Sequence, residues 1–207
     1  MRGVEPEGAD LDYLRRRAKR QLRARARGLR SAIPPAARAA RSGRIVEHLK
    51  ALPESQSARS IALFWPMETR GEIDLRLLDD HLRRTGKRLF YPFMSGPHRA
   101  EPGFALVEEP TALAPREHEF LEPPLDAPAA RPGELDVVVV PALAVSAAGH
   151  RLGYGSGFYD ALLPRFSPPA FSIAVAYDFE LLPELPTTAG DVACDAVVTD
   201  SRTLRLR

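Results

Sequence analysis

The chain has one cysteine, Cys194, among its 207 residues, which excludes an internal disulfide and any multi-cysteine metal site. A reducing cytoplasm is the setting such a thiol content suits. No apolar run approaches the roughly 18 residues of a membrane span, so no transmembrane helix and no membrane partner are expected. The five histidines, His48, His81, His98, His118 and His150, show no ligand spacing and adjoin no cysteine or carboxylate cluster, which leaves no zinc site. Aromatic residues make up 7% of the chain, and the basic stretch 10–30 holds only Tyr13. Single-stranded nucleic acid is held by cations interleaved with stacking rings, so a nucleic-acid partner is not expected. No Gly-Lys-Ser/Thr closes the glycine-rich segment, which excludes a Walker-type loop.

What is present is an ordinary globular composition, 44% hydrophobic and 27% charged. The length fits one domain with a proper core, so residues 1–207 are read as one unit, and a monomer is expected. Proline, 20 residues, is about twice as frequent as usual; alongside many Ala and Arg it reads as base-composition bias. Charge is unevenly placed. Residues 1–50 carry 14 Lys/Arg against 5 Asp/Glu and residues 51–207 carry 15 against 22, balances of +9 and −7 that sum to the net +2. A basic segment on an acidic body points to an anionic partner. A transit peptide is not expected, because Glu5, Glu7, Asp10 and Asp12 come first and no apolar signal core follows.

Residues 10–30 read as an amphipathic helix with Asp10 as N-cap and Gly28 loosening its far end. Leu11, Leu14, Ala18, Leu22 and Leu29 form the inward stripe, and Arg15, Arg16, Lys19, Arg20 and Arg23 lie outside it. Pro34 and Pro35 suit the first turn of a second helix reaching Lys50. Ser60–Trp65 has strand character and stops at Pro66; Asp74–Thr85 is a helix; Lys87–Tyr91 is a strand closed by Pro92. The stretch 92–132 holds nine prolines and reads as mostly loop, with one strand at Gly103–Val107. Asp136–Val140 is a strand apolar on both faces. A helix follows from Phe158, and Ser172–Tyr177 and Asp195–Thr199 complete the strands. Helices first, then alternating strand and helix, predict a three-layer α/β, Rossmann-like domain with a mostly parallel sheet and an N-terminal helical segment at about 10–50.

The segment Gly149-His-Arg-Leu-Gly-Tyr-Gly-Ser-Gly-Phe-Tyr-Asp160 carries the chemistry. It follows the apolar strand and enters a helix, where open α/β sheets place ligands. Gly153, Gly155 and Gly157 allow close backbone approach, and their amides with the helix N-terminus can cradle phosphate oxygens. Arg151 adds a cation, and Asp160 in the first helical turn can hold magnesium against those phosphates. The bland alternative is a tight glycine turn that packs a helix on the sheet.

The whole string Arg-Leu-Gly-x-Gly-x-Gly-Phe-Tyr-Asp closely resembles the nucleotide-binding signature of the 5-formyltetrahydrofolate cyclo-ligases, also called methenyltetrahydrofolate synthetases. Lys19-Arg-Gln-Leu-Arg23, Phe64-Trp-Pro-Met67, Gly71-Glu-Ile-Asp74, Phe120 with Glu122-Pro123, and Asp191 with Asp195 and Val197-Val-Thr199 resemble further blocks of that family. Tyr154 and Ser156 stand where some members have a basic residue. The resemblance implies an ATP-dependent ligase that closes 5-formyltetrahydrofolate to 5,10-methenyltetrahydrofolate with ATP and magnesium. It implies an ATP site of Lys19, Arg20, Arg23, Arg151, Leu152, Gly153, Tyr154, Gly155, Ser156, Gly157, Phe158 and Tyr159. Folate contacts would fall to Trp65, Met67, Glu72, Tyr154 and Phe158, magnesium to Asp160 and Asp191, and the catalytic roles to Arg151, Tyr159 and Asp160.

Each of these residues has a plainer reading. The basic helix can be a solvated face, Trp65 plain core, Glu72 a cap for the helix near Asp74, Asp191 a turn residue, and Cys194 structural. Competing functions are a basic-helix RNA-binding module, a nicotinamide-dependent oxidoreductase, disfavoured by the motif's late position, and a paralogue that binds folate without turnover.

Overall fold

The computed structural model describes residues 8–95 and 101–207; His98, Glu5 and Glu7 lie outside them. The helices are α1 (Gly8–Ser31), α2 (Pro35–Ala51), α3 (Pro53–Ser57), α4 (Arg76–Arg84) and α5 (Phe158–Phe166). The first six strands are β1 (Ser60–Ala62), β2 (Arg88–Phe93), β3 (Gly103–Leu106), β4 (Ala114–Pro115), β5 (Leu121–Glu122) and β6 (Val137–Pro141). The rest are β7 (Ala144–Ser146), β8 (Arg151–Leu152), β9 (Phe171–Val175), β10 (Leu181–Leu182), β11 (Ala196–Val198) and β12 (Thr203–Arg205).

Seven strands form one sheet in the order β12-β11-β9-β6-β1-β2-β3. β11, β9, β6, β1 and β2 are parallel, and β12 and β3 close the edges antiparallel. The alternation along β6 builds the layers. Val137 and Val139 join a core with Ile45 and Leu49 of α2 and Leu78 and Leu82 of α4. Val138 and Val140 join a second core with Leu162, Leu163 and Phe166 of α5. A strand apolar on both faces belongs inside a covered parallel sheet, and β6 lies between β9 and β1. The three-layer, mostly parallel α/β arrangement expected from the sequence is thus the one observed. A smaller sheet, β10-β7-β8, leads into the glycine-rich loop.

Three local expectations need correction. The strand at Ser60 ends at Ala62; Leu63 keeps one backbone bond to β2 but packs in the core, while Phe64 and Trp65 reach the cavity at the sheet's end. β2 does not stop before Pro92 but runs through it to Phe93, with Pro92 opposite Phe104 of β3. Leu63 N–H donates to the Phe90 carbonyl on the β1 side, and Val107 N–H donates to the Leu89 carbonyl on the β3 side. By that alternation the amide position of Pro92 faces the side that β1 has already left, so its missing N–H costs no ladder bond.

The third correction concerns α1, which begins at Gly8, puts Asp10 within its first turn, and runs through Gly28. Leu11, Leu14 and Leu29, expected to face inward, are exposed, whereas Lys19, Ala26 and Arg30 are buried. The buried face is polar because each cation meets a fixed partner on the body. Lys19 pairs with Asp191, Arg23 donates to the Gly153 carbonyl, and Arg30 pairs with Glu180. Buried charge is tolerated when it is paired and hydrogen-bonded; Lys19 and Arg30 each have a carboxylate, and the half-buried Arg23 has a carbonyl acceptor.

Candidate active site

The carboxyl ends of β1, β2 and β6 open into a cavity of about 1000 Å³, whose walls include Phe64, Trp65, Pro92 and Pro141. Open α/β sheets place ligands at this end. α1, the loop 151–157 and the turn before Glu72 complete it. Every residue named from the sequence as an ATP, folate or magnesium contact lines this one cavity.

The glycine loop forms one wall. Gly155 (φ 116°) and Gly157 (φ 71°) adopt left-handed backbone, which a side chain would strain. α5 begins directly after Gly157, which has no side chain to cap it, and its first amide, Phe158 N–H, meets the Ser156 hydroxyl at a long 3.4 Å. Arg23 Nε donates to the Gly153 carbonyl at 2.8 Å, fixing α1 to this loop. Burial, with the neighbouring Arg27 charge, lowers the Arg23 pKa.

Two cation–carboxylate pairs flank the loop. Lys19 Nζ lies 2.7 Å from Asp191 Oδ1, and Asp191 Oδ2 accepts the Thr188 N–H at 2.6 Å. Burial opposes the Asp191 charge, but the bonds from Lys19 and Thr188 outweigh it and hold the carboxyl below its ordinary value. The residue named for phosphate and the residue named for magnesium therefore satisfy each other. The Arg151 side chain is 3% exposed and donates to Asp160 Oδ1 at 2.8 Å and to the Val192 carbonyl at 2.6 Å. The Val192 N–H also donates to Asp160 Oδ1, at 3.2 Å, and no hydrogen bond among the described residues reaches Oδ2. Asp160 is thus the partner of a buried cation, not only a first-turn carboxylate.

The described residues contain no cluster of three His, Cys, Asp or Glu able to hold a metal by themselves. Magnesium bound with a nucleotide needs only one or two carboxylates, the rest coming from phosphate and water. The free Oδ2 of Asp160 beside the glycine loop fits that requirement; Asp191 fits it once Lys19 takes another partner.

The other wall is aromatic and acidic. Trp65, half-buried, meets Tyr91 edge-on at 6.2 Å, and Phe120 and Phe158 tilt together at 6.2 Å. Glu72 does not cap α4. It is 5% exposed, its Oε2 accepts the Met67 N–H at 2.8 Å, and its Oε1 is buried without a partner. The Tyr154 hydroxyl stands near this carboxylate but makes no hydrogen bond with Oε1. Burial raises the Glu72 pKa against the Met67 bond, the Tyr154 hydroxyl and the charges of Arg30 and Arg70. Burial, aided by the Glu72 charge, also raises the Tyr159 hydroxyl, which therefore stays a neutral donor. An orphaned buried acceptor among flat rings suits a planar heterocycle with N–H donors.

The model of the 5-formyltetrahydrofolate cyclo-ligase family matches residues 15–200. The chain belongs to this family. It is 34% identical to a 5-formyltetrahydrofolate cyclo-ligase of Mycolicibacterium smegmatis, over 90% of this chain and 95% of that one. It is 31% identical to the cyclo-ligase of Escherichia coli K12, over 72% and 82%. The solved 5,10-methenyltetrahydrofolate synthetase of Aquifex aeolicus superposes with a TM-score of 0.80 at 31% identity, covering 91% of this chain and 93% of that one. The span matched to the family takes in every cavity residue except Tyr13.

Sequence reasoning missed several lining residues. Arg16 is four residues before Arg20 and seven before Arg23, a helical spacing that could have placed it with them. Thr188 precedes Asp191 in its turn and could have been paired with it. Arg70 and Glu119, from two separate loops, gave no local signal.

Proposed function

We propose that this chain is an ATP-dependent 5-formyltetrahydrofolate cyclo-ligase that forms 5,10-methenyltetrahydrofolate, ADP and phosphate. The formyl oxygen takes the terminal phosphoryl group of ATP, the neighbouring amine nitrogen attacks the activated carbon, and phosphate leaves. Such chemistry asks for positioning and charge neutralisation more than for a nucleophilic side chain. One observation carries the reading: a single cavity joins a glycine-and-cation wall suited to phosphates with an aromatic wall holding the unpartnered Glu72 Oε1. Family membership and the names of the relatives support it.

In this reading Arg20, Arg23 and the amides of 153–157 receive the phosphates. Lys19 exchanges Asp191 for a phosphate oxygen, which frees Asp191. Asp160, with Asp191, would hold magnesium, which would supply charge to neutralise the phosphates. Arg151 positions Asp160, and Tyr159 offers a neutral hydroxyl. Trp65, Met67, Phe158 and Tyr154 enclose the pterin, whose N–H edge meets Glu72. No helix among the described residues is long and apolar enough to cross a membrane. We expect a cytoplasmic monomer, in which the buried Cys194 stays reduced.

The test is incubation with 5-formyltetrahydrofolate, ATP and magnesium while following the near-ultraviolet absorbance of the methenyl product. Growth of that band only when all three are present is the expected result. Its absence in folded protein would overturn the assignment.

A further inference from the structure

The glycine loop contains no cation of its own, since its variable positions are Tyr154 and Ser156. Two cations lining the cavity sit in pairs that are largely shielded from water, Lys19 with Asp191 and Arg151 with Asp160. The others on α1 are Arg16, Arg20 and Arg23. Arg70 is the cavity arginine that comes from neither α1 nor β8. It ends the short helical turn Glu68–Arg70, which Gly71 closes with φ 61°. A Cβ on Gly71 would stand 2.7 Å from the Arg38 guanidinium, so this turn lies beside α2.

The Arg70 guanidinium lies 4.8 Å from the centroid of the Tyr154 ring and pairs with Glu119. Glu119 is 68% exposed and lies between β4 and β5, in a segment whose His118 and Phe120 also line the cavity. An exposed pair of this kind is weak and exchanges readily for a more highly charged anion. The Arg70 charge also acts on both Glu72 and Tyr154, which places it where the aromatic wall meets the glycine loop.

We propose that Arg70 receives the terminal phosphate of the nucleotide, with Glu119 as its partner in the free protein. This rests on the ATP-dependent reading above. As the formyl oxygen bonds to the terminal phosphorus, the bridging P–O bond breaks and ADP keeps the electron pair. Arg70 stays protonated and neutralises the non-bridging oxygens. The folate carboxylates are a poorer match. With the pterin at Glu72 they lie at the far end of the ligand, beyond a rigid aminobenzoyl group.

The experiment is calorimetric titration of the full chain, and of Arg70→Gln, Arg70→Lys and Glu119→Gln, with ATP and separately with ADP, both with magnesium and without folate. ADP lacks the group Arg70 is assigned to meet. Arg70→Gln should weaken ATP about tenfold and leave ADP within about twofold, Arg70→Lys should recover part of the loss, and Glu119→Gln should tighten ATP a few-fold. In turnover, Arg70→Gln should lower kcat with KM for formyl-folate unchanged. Equal effects on ATP and ADP, no effect on either, or a rise confined to the folate KM would each overturn the assignment. Wild-type protein that binds neither nucleotide would overturn the ATP reading itself, and this assignment with it.

Discussion

Lys19 and Asp191, 172 residues apart in the chain, are joined by a hydrogen bond of 2.7 Å on the wall of the cavity. The pair keeps two cavity side chains ordered before any ligand arrives, since each holds the other in place. In the proposed reading, ATP with magnesium would give each of the two a partner of its own.

This exchange predicts opposite responses to magnesium. Lys19→Met should weaken ATP about tenfold with or without the metal, because a phosphate contact is lost. Asp191→Asn should leave ATP affinity equal or a few-fold tighter in chelator, since Lys19 is freed, and weaken it when magnesium is present. Titration calorimetry in both buffers checks this. An Asp191→Asn protein indistinguishable from wild type in magnesium would reduce Asp191 to the turn residue that its Thr188 bonds also describe.

Asp160→Asn separates a stability effect from a catalytic one. The amide keeps an oxygen acceptor for Arg151 but leaves a guanidinium that is 3% exposed without a countercharge. Because Asp160 is itself partly exposed, the cost should fall at or below the low end of a broken buried pair, about 2–3 kcal/mol. Turnover should fall roughly a hundredfold or more if the charge also serves magnesium. The Arg151→Met/Asp160→Asn double variant should regain melting temperature without regaining turnover. Recovery of both would leave Asp160 a purely structural carboxylate.

The fold was legible where period and composition agree. The doubly apolar β6 and the leucines of α4 placed the central sheet and one helix layer, and the spacing of Gly153, Gly155 and Gly157 located the loop. α1 was misread because a leucine stripe is the ordinary sign of a buried face, whereas here Lys19, Ala26 and Arg30 face inward. Their partners Asp191 and Glu180 are remote in sequence, so no local pattern could reveal them. The two-residue strands β8 and β10 carry too few residues for any period. Glu72 was found through resemblance, but its unpaired Oε1 depends on how the preceding turn folds back to Met67.

Glu72 predicts a pH dependence whose sign follows from its raised pKa. The folded state favours the protonated carboxyl, so ionisation costs stability, and that cost is complete above the folded-state pKa. Glu72→Gln should therefore melt higher than wild type near neutral pH, the advantage fading as pH falls into the ordinary carboxylate range. Ligand binding should run the other way. Wild-type affinity for 5-formyltetrahydrofolate should rise with pH through the raised pKa, as the ionised oxygens accept two N–H groups, and the Gln variant should bind about tenfold more weakly with no such step. Parallel melts and fluorescence titrations across pH supply both curves; a wild-type binding curve flat in pH would remove Glu72 from the ligand contacts.

Arg30 predicts how the basic helix stays on the body. Its Nε and Nη2 donate to the two Glu180 oxygens at 2.6 and 2.8 Å, its Nη2 also donates to the Ala142 carbonyl, and its guanidinium stacks over Tyr177 at 5.5 Å. The side chains of the pair are 2% and 1% exposed. Burial opposes the Arg30 charge, but the bonds and charge of Glu180 more than offset it and raise the Arg30 pKa. Nη1 reaches the Tyr154 hydroxyl at 3.4 Å, so one residue ties α1 to the glycine loop as well as to the core. Arg30→Met should cost about 3–5 kcal/mol, because it strands Glu180 without a countercharge. Arg30→Lys should cost less but still lose the two-pronged contact. Arg30→Met/Glu180→Leu should recover much of the stability, as apolar replacements of buried pairs often do, yet should not restore the hold on Tyr154. Urea unfolding measures the first effect. Hydrogen exchange of the α1 amides together with ATP affinity measures the second, and both should remain impaired in the double variant. Wild-type exchange and ATP affinity in that protein would show that Lys19 and Arg23 hold α1 unaided, leaving Arg30 a contributor to stability alone.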